Sequence, residues 1–184
     1  MEPAGQLDRE VVAVYQQHAE ELLRYGALLG RSEDLARDAV QEAFLRYFVE
    51  RRYGRAIGNP RAWLYRVLRN HILDLLKTAA LNHSDLKGSV EDLSDQRLDP
   101  ERALQEREAA RGVEEVLTSR ELDCFRLRAG GLCYAEIGKA MGVRPGTVGA
   151  LLARAQKKLR ESAGARNRGQ PAWSWWQQGR AYSP

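Results

Sequence analysis

The chain has 184 residues, which is enough for one domain or two small ones, and its net charge is +4. No apolar run approaches the roughly 20 residues of a membrane span, and the first residues lack a signal-peptide pattern, so we expect a soluble, cytoplasmic protein. The charge is uneven, because residues 120–160 carry nine Lys or Arg against three Asp or Glu, whereas residues 79–101 carry two against six. This asymmetry is typical of a nucleic-acid binder and argues against a uniformly charged enzyme.

Three helices are predicted in the first 77 residues, because apolar residues recur there at spacings of three and four. The apolar face of the first helix contains Val11, Tyr15, Ala19, Leu22, Gly26 and Leu29. The second helix covers about residues 33–52, with Ser32 as its cap, and its core face contains Ala36, Val40, Ala43, Phe44 and Tyr47. The third begins at Asn59 and Pro60 and runs to about Lys77, with Leu64, Leu68, Ile72 and Leu75 facing inward.

The periodicity stops at residues 78–100, where a polar, acidic and turn-rich sequence predicts a flexible linker. A helix then opens at Pro100 and continues to about Val116, and "TSRE" at residues 118–121 predicts a capping box for the next one. No stretch alternates with a period of two. We therefore predict an all-α fold with two small helical domains, residues 1–77 and 101–162, joined by the linker and followed by a flexible, Trp-rich tail at residues 163–184.

Residues 134–154 have the pattern of a helix-turn-helix, with Gly142 in the turn. In such motifs the start of the second helix enters the major groove while nearby cations hold phosphates. The polar groups available for this are Arg144, Thr147, Arg154, Lys157, Lys158 and Arg160. A plain helical hairpin with a solvated basic end is the alternative interpretation.

The second helix also has an unusual outer face, which contains Asp38, Gln41, Glu42, Leu45 and Val49 opposite the core residues. Leu45 and Val49 are apolar although they are predicted to face away from the core. A protein-docking face with an apolar centre and an acidic rim would explain them. An ordinary solvated face is the alternative, since single exposed apolar residues are common.

The third helix places Trp63, Arg66 and Asn70 on one flank, with Arg61 and Arg69 close by. Trp can stack on an unpaired base, Arg can hold a phosphate, and Asn can bond a base edge. This combination suits single-stranded nucleic acid. In the alternative interpretation, Trp63 packs against the first helix and the arginines are solvated.

The sequence offers little for catalysis or metal binding. The three His residues are scattered, and Cys124 and Cys133 have no CxxC motif or nearby His to complete a metal site. No nucleophile elbow or phosphate-cradling loop is present. We therefore expect no cofactor, no metal, no small-molecule substrate and no enzymatic activity.

Three segments in this order resemble the extracytoplasmic-function (ECF) group of bacterial sigma factors. "DAVQEAFLRYF" (38–48) is similar to the group's core-polymerase-binding helix, and "NPRAWLYRVLRNHILDLLK" (59–77) to its −10 recognition and melting helix. Residues 117–160 resemble its −35-binding domain. The resemblance covers about residues 8–162.

The resemblance implies a function in transcription initiation, without catalysis by the chain itself. It assigns core RNA polymerase binding to Asp38, Gln41, Glu42, Leu45 and Val49, and capture of single-stranded −10 DNA to Arg61, Trp63, Arg66, Arg69 and Asn70. It assigns contacts to the −35 duplex to Arg144, Thr147, Gly149, Ala150, Arg154, Lys157 and Lys158. It also admits an anti-sigma factor as a further partner.

The sequence departs from the group's pattern in the −35 domain. Cys133 stands where the group usually has a capping Ser, and Gly149, Ala150 and Leu151 stand where it usually has basic or polar side chains. We expect roughly 1 kcal/mol of lost capping at Cys133 and about 1 kcal/mol of lost helix stability at Gly149. The small residues predict either recognition of the −35 duplex by its shape or a weak dependence on it.

Two other functions remain open. A stand-alone helix-turn-helix regulator would bind duplex DNA without polymerase and would not need the outer face of the second helix. A protein–protein adaptor descended from a sigma factor would explain the small residues of the reading helix. The "WSWW" tail at residues 173–176 is interpreted as a partner-binding segment, a contact onto the protein's own domains, or an incidental end.

Overall fold

The computed structural model describes residues 4–81 and 111–166 of the chain. These residues form helices with no strand among them, so the all-α prediction is confirmed. The N-terminal helices are α1 (Ala4–Gly30), α2 (Glu33–Arg52) and α3 (Pro60–Leu81). The C-terminal ones are α4 (Ser119–Ala129), α5 (Tyr134–Met141) and α6 (Pro145–Arg166), and residues 111–116 are also helical.

The chain divides into two compact units, one built on α1 to α3 and the other on α4, α6 and most of α5. Most of the predicted linker, the first part of the helix expected after Pro100 and the "WSWW" tail lie outside the described residues. The domain boundaries given by the sequence pattern therefore stay predictions.

A tight turn joins α1 to α2 and sets the two helices close together. Arg31 adopts a positive φ of 54°, and the Ser32 hydroxyl then caps α2 by accepting the Leu35 N–H at 3.3 Å. The helices approach so closely that a Cβ at Gly26 would lie 3.1 Å from the Cβ of Ala36. The absent side chain at Gly26 is thus what allows α1 and α2 to pack at this point.

The core of the N-terminal unit follows most of the predicted apolar faces, although Val11 and Leu29 of α1 are only half-buried. All five predicted core residues of α2 are buried, as are Leu64, Leu68 and Ile72 of α3. Leu75 was predicted to face inward but is 40% exposed, and the last buried residue of α3 is Ile72, one turn before it. Tyr15 is also partly exposed, although its ring packs on Phe44 with the ring centroids 4.9 Å apart.

Helix α3 continues to Leu81, four residues beyond the predicted end at Lys77. The Thr78 hydroxyl donates a hydrogen bond to the Asp74 carbonyl at 2.9 Å, which ties the side chain to the preceding turn. Ala79 and Ala80 follow, and Ala has the best intrinsic helix propensity. The polar sequence from residue 78 onward therefore begins while the chain is still helical.

The predicted capping box starts α4 of the C-terminal unit. The Thr118 hydroxyl accepts the Glu121 N–H, and the Glu121 carboxylate accepts the Thr118 N–H at 3.0 Å. Gly131 and Gly142 have positive φ values of 83° and 68° in the turns that flank α5. The buried core includes residues of α4, α5 and α6 and of the segments before and between them: Leu117, Cys124, Leu127, Leu132, Ile137, Val148, Leu151, Leu152 and Ala155.

Candidate nucleic-acid and protein interfaces

The outer face of α2 is exposed in the way that the sequence predicts. Leu45 is 58% exposed and Val49 is 40% exposed, although both are apolar. Gln41 and Asp38 are also exposed, one and two turns before Leu45 along the helix. We call these residues, together with Glu42, the α2 outer face.

The acidic rim of the α2 outer face includes an ion pair within the helix. Arg46 donates from its Nε to the Glu42 Oε1 at 2.6 Å, four residues away. The pair is partly exposed, so its contribution to stability is small. Its main effect is to hold the Glu42 carboxylate along the helix, next to Leu45, with Asp38 one turn before it.

The start of α3 is fixed by a capping residue, which sets the direction of the side chains that follow. The Asn59 Oδ1 accepts the Ala62 N–H at 2.9 Å, and the Asn59 carbonyl accepts the Trp63 N–H at 3.1 Å. Pro60 occupies the first helical position, where its missing N–H is not needed. The first turn of α3 is therefore well defined just where Trp63 leaves the helix.

Trp63, Arg66 and Asn70 lie on one flank of α3, at spacings of three and four, and we call them the α3 flank. Arg66 and Asn70 are exposed, whereas Trp63 is half-buried. The Trp63 ring packs on Tyr47 of α2, with the centroids 5.9 Å apart and the planes at 63°. The indole is thus partly packed, as the structural alternative expected, and partly open, as base stacking requires. Its ring contact is with α2, however, and not with the first helix.

The helix-turn-helix is built from α5, Gly142 and α6. The Val143 N–H donates to the Gly138 carbonyl at 2.9 Å across the turn, and a Cβ at Gly138 would lie only 2.8 Å from Val143 O. The Arg144 carbonyl then accepts the Thr147 and Val148 N–H groups at 2.9 and 3.2 Å. These contacts bring the two helices together at a turn with no room for a side chain at Gly138.

The exposed side of α6 offers small residues and a few cations. Arg144, Thr147, Ala150, Arg154 and Lys157 are exposed, and Gly149 is half-buried. A Cβ at Gly149 would meet only the Tyr134 Cε2, at 3.7 Å, which is an ordinary van der Waals distance. Tyr134 itself is 45% exposed, and the Arg128 guanidinium lies 5.7 Å from its ring centroid.

Comparisons with known proteins find two family models along the chain. Residues 14–81 match the Sigma-70 region 2 family, and residues 115–168 match the family of bacterial regulatory proteins of the luxR type, GerE. A co-crystal structure of the sigma factor RpoE with the anti-sigma factor NepR from Bartonella quintana is also similar. It has a TM-score of 0.64 and 21% identity and covers 88% of this chain and 99% of that chain, a likeness that concerns the fold.

The two family matches, in this order along the chain, support the resemblance to sigma factors of the ECF group. The region 2 match covers α2 and α3 and most of α1, which carry the α2 outer face and the α3 flank. The second match covers α4 to α6 and supports a DNA-binding helix-turn-helix. Sigma factors are transcription initiation factors without enzymatic activity, and the two family matches point to a protein of this kind.

Two cations that the sequence assigned to DNA instead form ion pairs with carboxylates of the same unit. Arg61 forms a bidentate ion pair with Glu21 of α1, at 2.9 and 2.6 Å, and its guanidinium lies 5.9 Å from the Tyr65 ring centroid. Lys158 donates to the Glu121 carboxylate at 2.7 Å. Both residues hold helices together, so we do not include them among the proposed DNA contacts.

The Glu121 carboxylate is a buried charge of the C-terminal unit and pairs with Lys158 of α6. Glu121 is 4% exposed and accepts from both Lys158 and the Thr118 N–H. The Lys158 hydrogen bond, followed by the Thr118 backbone bond, lowers the pKa of Glu121 to about 2. The carboxylate is therefore charged at neutral pH and ties the start of α4 to α6.

The exposed surface of α6 that lacks long side chains does not include Leu151, contrary to the expectation from the sequence. Leu151 is 6% exposed and belongs to the core with Val148 and Ala155, three and four residues away. It is therefore not a position from which a side chain could reach DNA. The surface that lacks long side chains consists of Gly149, Ala150 and Ala153, with Arg154 next to it.

The two cysteines remain free thiols, and their surroundings differ. Cys124 is buried, its Sγ lies 3.9 Å from the Val148 carbonyl, and burial raises its pKa to about 11. Cys133 is exposed at the start of α5, where its backbone N–H donates to the Glu136 carboxylate at 2.8 Å. This bond supplies one half of a capping box and offsets part of the capping loss expected from the Cys side chain.

Two absences can be stated for residues 4–81 and 111–166. No group of three or more His, Cys, Asp or Glu within these ranges could hold a metal ion. No helix in the same ranges is long and apolar enough to cross a membrane.

Sequence analysis missed the residues that hold the α3 flank in place. Tyr47 was identified only as a core residue, and Glu10, Glu21 and Arg51 were not singled out. Their partners lie 37 to 41 residues away along the chain. Helical periodicity indicates which way a side chain faces but cannot identify a partner on another helix.

Proposed function

We propose that the chain is a sigma factor that binds core RNA polymerase through the α2 outer face and directs promoter-specific initiation. Trp63, Arg66, Arg69 and Asn70 contact the single-stranded −10 element, and Arg144, Thr147, Gly149, Ala150, Arg154 and Lys157 contact the −35 duplex. The observation that carries the proposal is the exposed apolar pair Leu45 and Val49 inside a domain that matches Sigma-70 region 2. An apolar centre with an acidic rim is typical of a protein-docking surface.

The proposed −10 contact uses the open part of the Trp63 indole. An unpaired base stacks on an aromatic ring whatever its identity, while Asn70 can bond its edge. The exposed Arg66, between these two residues on the flank, is positioned to hold a backbone phosphate. This arrangement favours a strand that is already unpaired, because a stacked duplex offers no free base face.

The experiment that tests the function is reconstitution with core RNA polymerase. The purified chain and core enzyme are incubated with genomic DNA of the source organism, and transcription start sites are mapped. We expect starts that share an upstream sequence and that are missing with core enzyme alone. If no promoter-specific start arises, the sigma proposal is wrong.

A stand-alone helix-turn-helix regulator is the second candidate, supported by the luxR-type match at residues 115–168. It predicts that the protein binds its duplex site equally well with and without polymerase. The adaptor interpretation is supported by the small residues Gly149, Ala150 and Ala153 on the exposed side of α6. It predicts polymerase binding without any promoter-specific start.

An anti-sigma factor is proposed as a further partner, by analogy with the co-crystal structure of RpoE and NepR. A partner of this kind would compete with core polymerase for region 2. The test is to purify the tagged chain from its source cells and to ask whether a co-purifying protein blocks polymerase binding. A co-purifying protein that leaves holoenzyme formation unchanged would not be an anti-sigma factor.

A further inference from the structure

A chain of contacts across three helices ends at the Trp63 indole. On α1, Glu10 accepts the Tyr47 hydroxyl at 2.8 Å. Arg51, one turn after Tyr47 on α2, grips the same carboxylate with its Nε at 2.7 Å and its Nη2 at 2.8 Å. The Tyr47 ring then packs against Trp63 of α3. The contacts therefore connect the Arg51–Glu10 ion pair to the Tyr47 hydroxyl and the Tyr47 ring to the Trp63 indole.

The Tyr47 ring has little freedom in this arrangement. Tyr47 is 1% exposed, and its hydroxyl has a charged acceptor that is itself held by two bonds from Arg51. Hydrogen bonds to a charged acceptor are stronger than neutral ones, and a bidentate guanidinium fixes the carboxylate in direction as well as distance. Burial and the Glu10 carboxylate also raise the pKa of Tyr47 to about 12, so the hydroxyl keeps its proton at neutral pH.

Trp63 lies at the end of this arrangement and is the aromatic group of the α3 flank. A T-shaped contact constrains the orientation of both rings, since each fits only the edge or face that the other presents. A stacking platform binds a base with less loss of entropy when its ring is already held in position. Fixing Tyr47 thus prepares Trp63 for a base before any strand arrives.

We infer that Glu10 and Tyr47 are positioning residues that hold the Trp63 indole ready to stack on an unpaired promoter base. This inference rests on the proposed function, because it takes Trp63 as the base-stacking residue. Neither Glu10 nor Tyr47 touches the strand. Both act through the orientation of Trp63, and Arg51 acts through Glu10.

The first arm of the test measures the ring itself, without polymerase or DNA. The other three tryptophans are replaced in the full chain by Trp173→Phe, Trp175→Phe and Trp176→Phe, so that all Trp fluorescence comes from Trp63. In this background Tyr47→Phe keeps the ring but removes its hydroxyl, and Glu10→Gln weakens the Arg51 grip. We expect both to increase acrylamide quenching and to lower the fluorescence anisotropy of Trp63. Unchanged quenching and anisotropy would overturn the inference.

The matched control is Tyr25→Phe, which removes a hydroxyl from another buried Tyr. Its ring packs on Tyr65, with the centroids 5.2 Å apart, and is not in ring contact with Trp63. We expect no change in the fluorescence of Trp63. An equal change in this control would mean that the signal reports general loosening of the domain, and the inference would fail.

The second arm measures strand capture by the full chain bound to core polymerase, on a mapped promoter with an unpaired −10 bubble. We expect Trp63→Ala to weaken binding about tenfold or more and Tyr47→Phe about threefold. If Trp63→Ala has no effect, the proposed role of Trp63 in −10 binding fails, while the first arm still tests whether Tyr47 and Glu10 hold the Trp63 ring. If Trp63→Ala weakens binding but Tyr47→Phe does not, the positioning inference is wrong and the proposed function stands.

Discussion

The two units of the molecule present their candidate contacts in opposite ways. The N-terminal unit exposes long or apolar side chains, such as Leu45 and Arg66, and packs the half-buried Trp63 of α3 against Tyr47 of α2. The C-terminal unit exposes the small residues Gly149 and Ala150 and supplies cations next to them. Under the proposed function, recognition by side chains would be concentrated in the first unit, whereas the second would depend more on backbone approach, phosphate contacts and DNA shape.

This difference predicts where single substitutions should have large effects. An apolar contact at the centre of an interface is strongly sensitive to one added charge, because that charge loses its hydration without gaining a partner. A duplex contact made of several cations and backbone groups loses only one part when one side chain is removed. The N-terminal unit should therefore respond sharply, and the C-terminal unit gradually.

The largest effect is expected from Leu45→Glu, which introduces a charge at the centre of the α2 outer face. We expect the affinity for core polymerase to fall by about 3 kcal/mol, or more than a hundredfold, because the carboxylate would be buried in an apolar contact. The measurement is a binding titration with labelled core enzyme. Val12→Glu is the matched control, since Val12 is 54% exposed on α1 and lies outside the α2 outer face. Equal losses from both variants, or none from Leu45→Glu, would contradict the proposed docking face.

The second prediction concerns the stability of the C-terminal unit and its dependence on pH. Glu121→Gln removes the charge that pairs with Lys158 and weakens the cap at Thr118, so we expect about 2 kcal/mol of lost stability at neutral pH. The folded pKa of about 2 lies below the ordinary value of 4.5. The stabilisation should therefore be complete above pH 4.5 and disappear as the pH falls towards 2.

Hydrogen exchange of the α4 amides measures this effect in the full chain. The variant should lose protection at neutral pH and should lack the decline between pH 4.5 and 2 that Glu121 causes. Glu161→Gln is the control, because its pair with Lys157 is exposed and 3.9 Å long and should contribute little. A wild-type domain whose stability is flat over this pH range would contradict the assigned role of Glu121.

The third prediction is smaller and concerns the basic edge of α6. Arg154→Ala should weaken binding to duplex DNA that contains the −35 element by about 1 kcal/mol, roughly fivefold, because one phosphate or base contact is lost among several. The Arg154 Nε donates to the Ala150 carbonyl of the same helix at 3.3 Å, which holds the guanidinium along the exposed side. Binding is measured by fluorescence anisotropy at fixed salt. The control is Arg24→Ala, because Arg24 is an exposed cation on α1. Unchanged affinity would mean that the duplex contact lies elsewhere.

Periodicity in the sequence was enough to predict the helices, the core face of α2 and the exposure of Leu45 and Val49. The pattern depends only on which direction each residue faces, and this follows from the helix itself. It failed where the result depends on a partner far along the chain, as with Arg61, whose partner Glu21 is 40 residues away. Leu151 is a different case. Its spacing of three from Val148 and four from Ala155 already indicates a core position, whereas the family pattern assigned it to the DNA-facing side.

The smallest effect is expected at Gly149, where it distinguishes between two ways of using the C-terminal unit. An added Cβ would meet only Tyr134, at 3.7 Å, and Ala is the better helix former, so Gly149→Ala should stabilise this unit by up to about 1 kcal/mol. Transcription from a mapped promoter and from the same promoter with a scrambled −35 sequence is then compared. If the duplex backbone or base edges approach Gly149 closely, the methyl group lowers transcription from the intact promoter. If dependence on the −35 element is weak, the variant is more stable, equally active, and indifferent to scrambling.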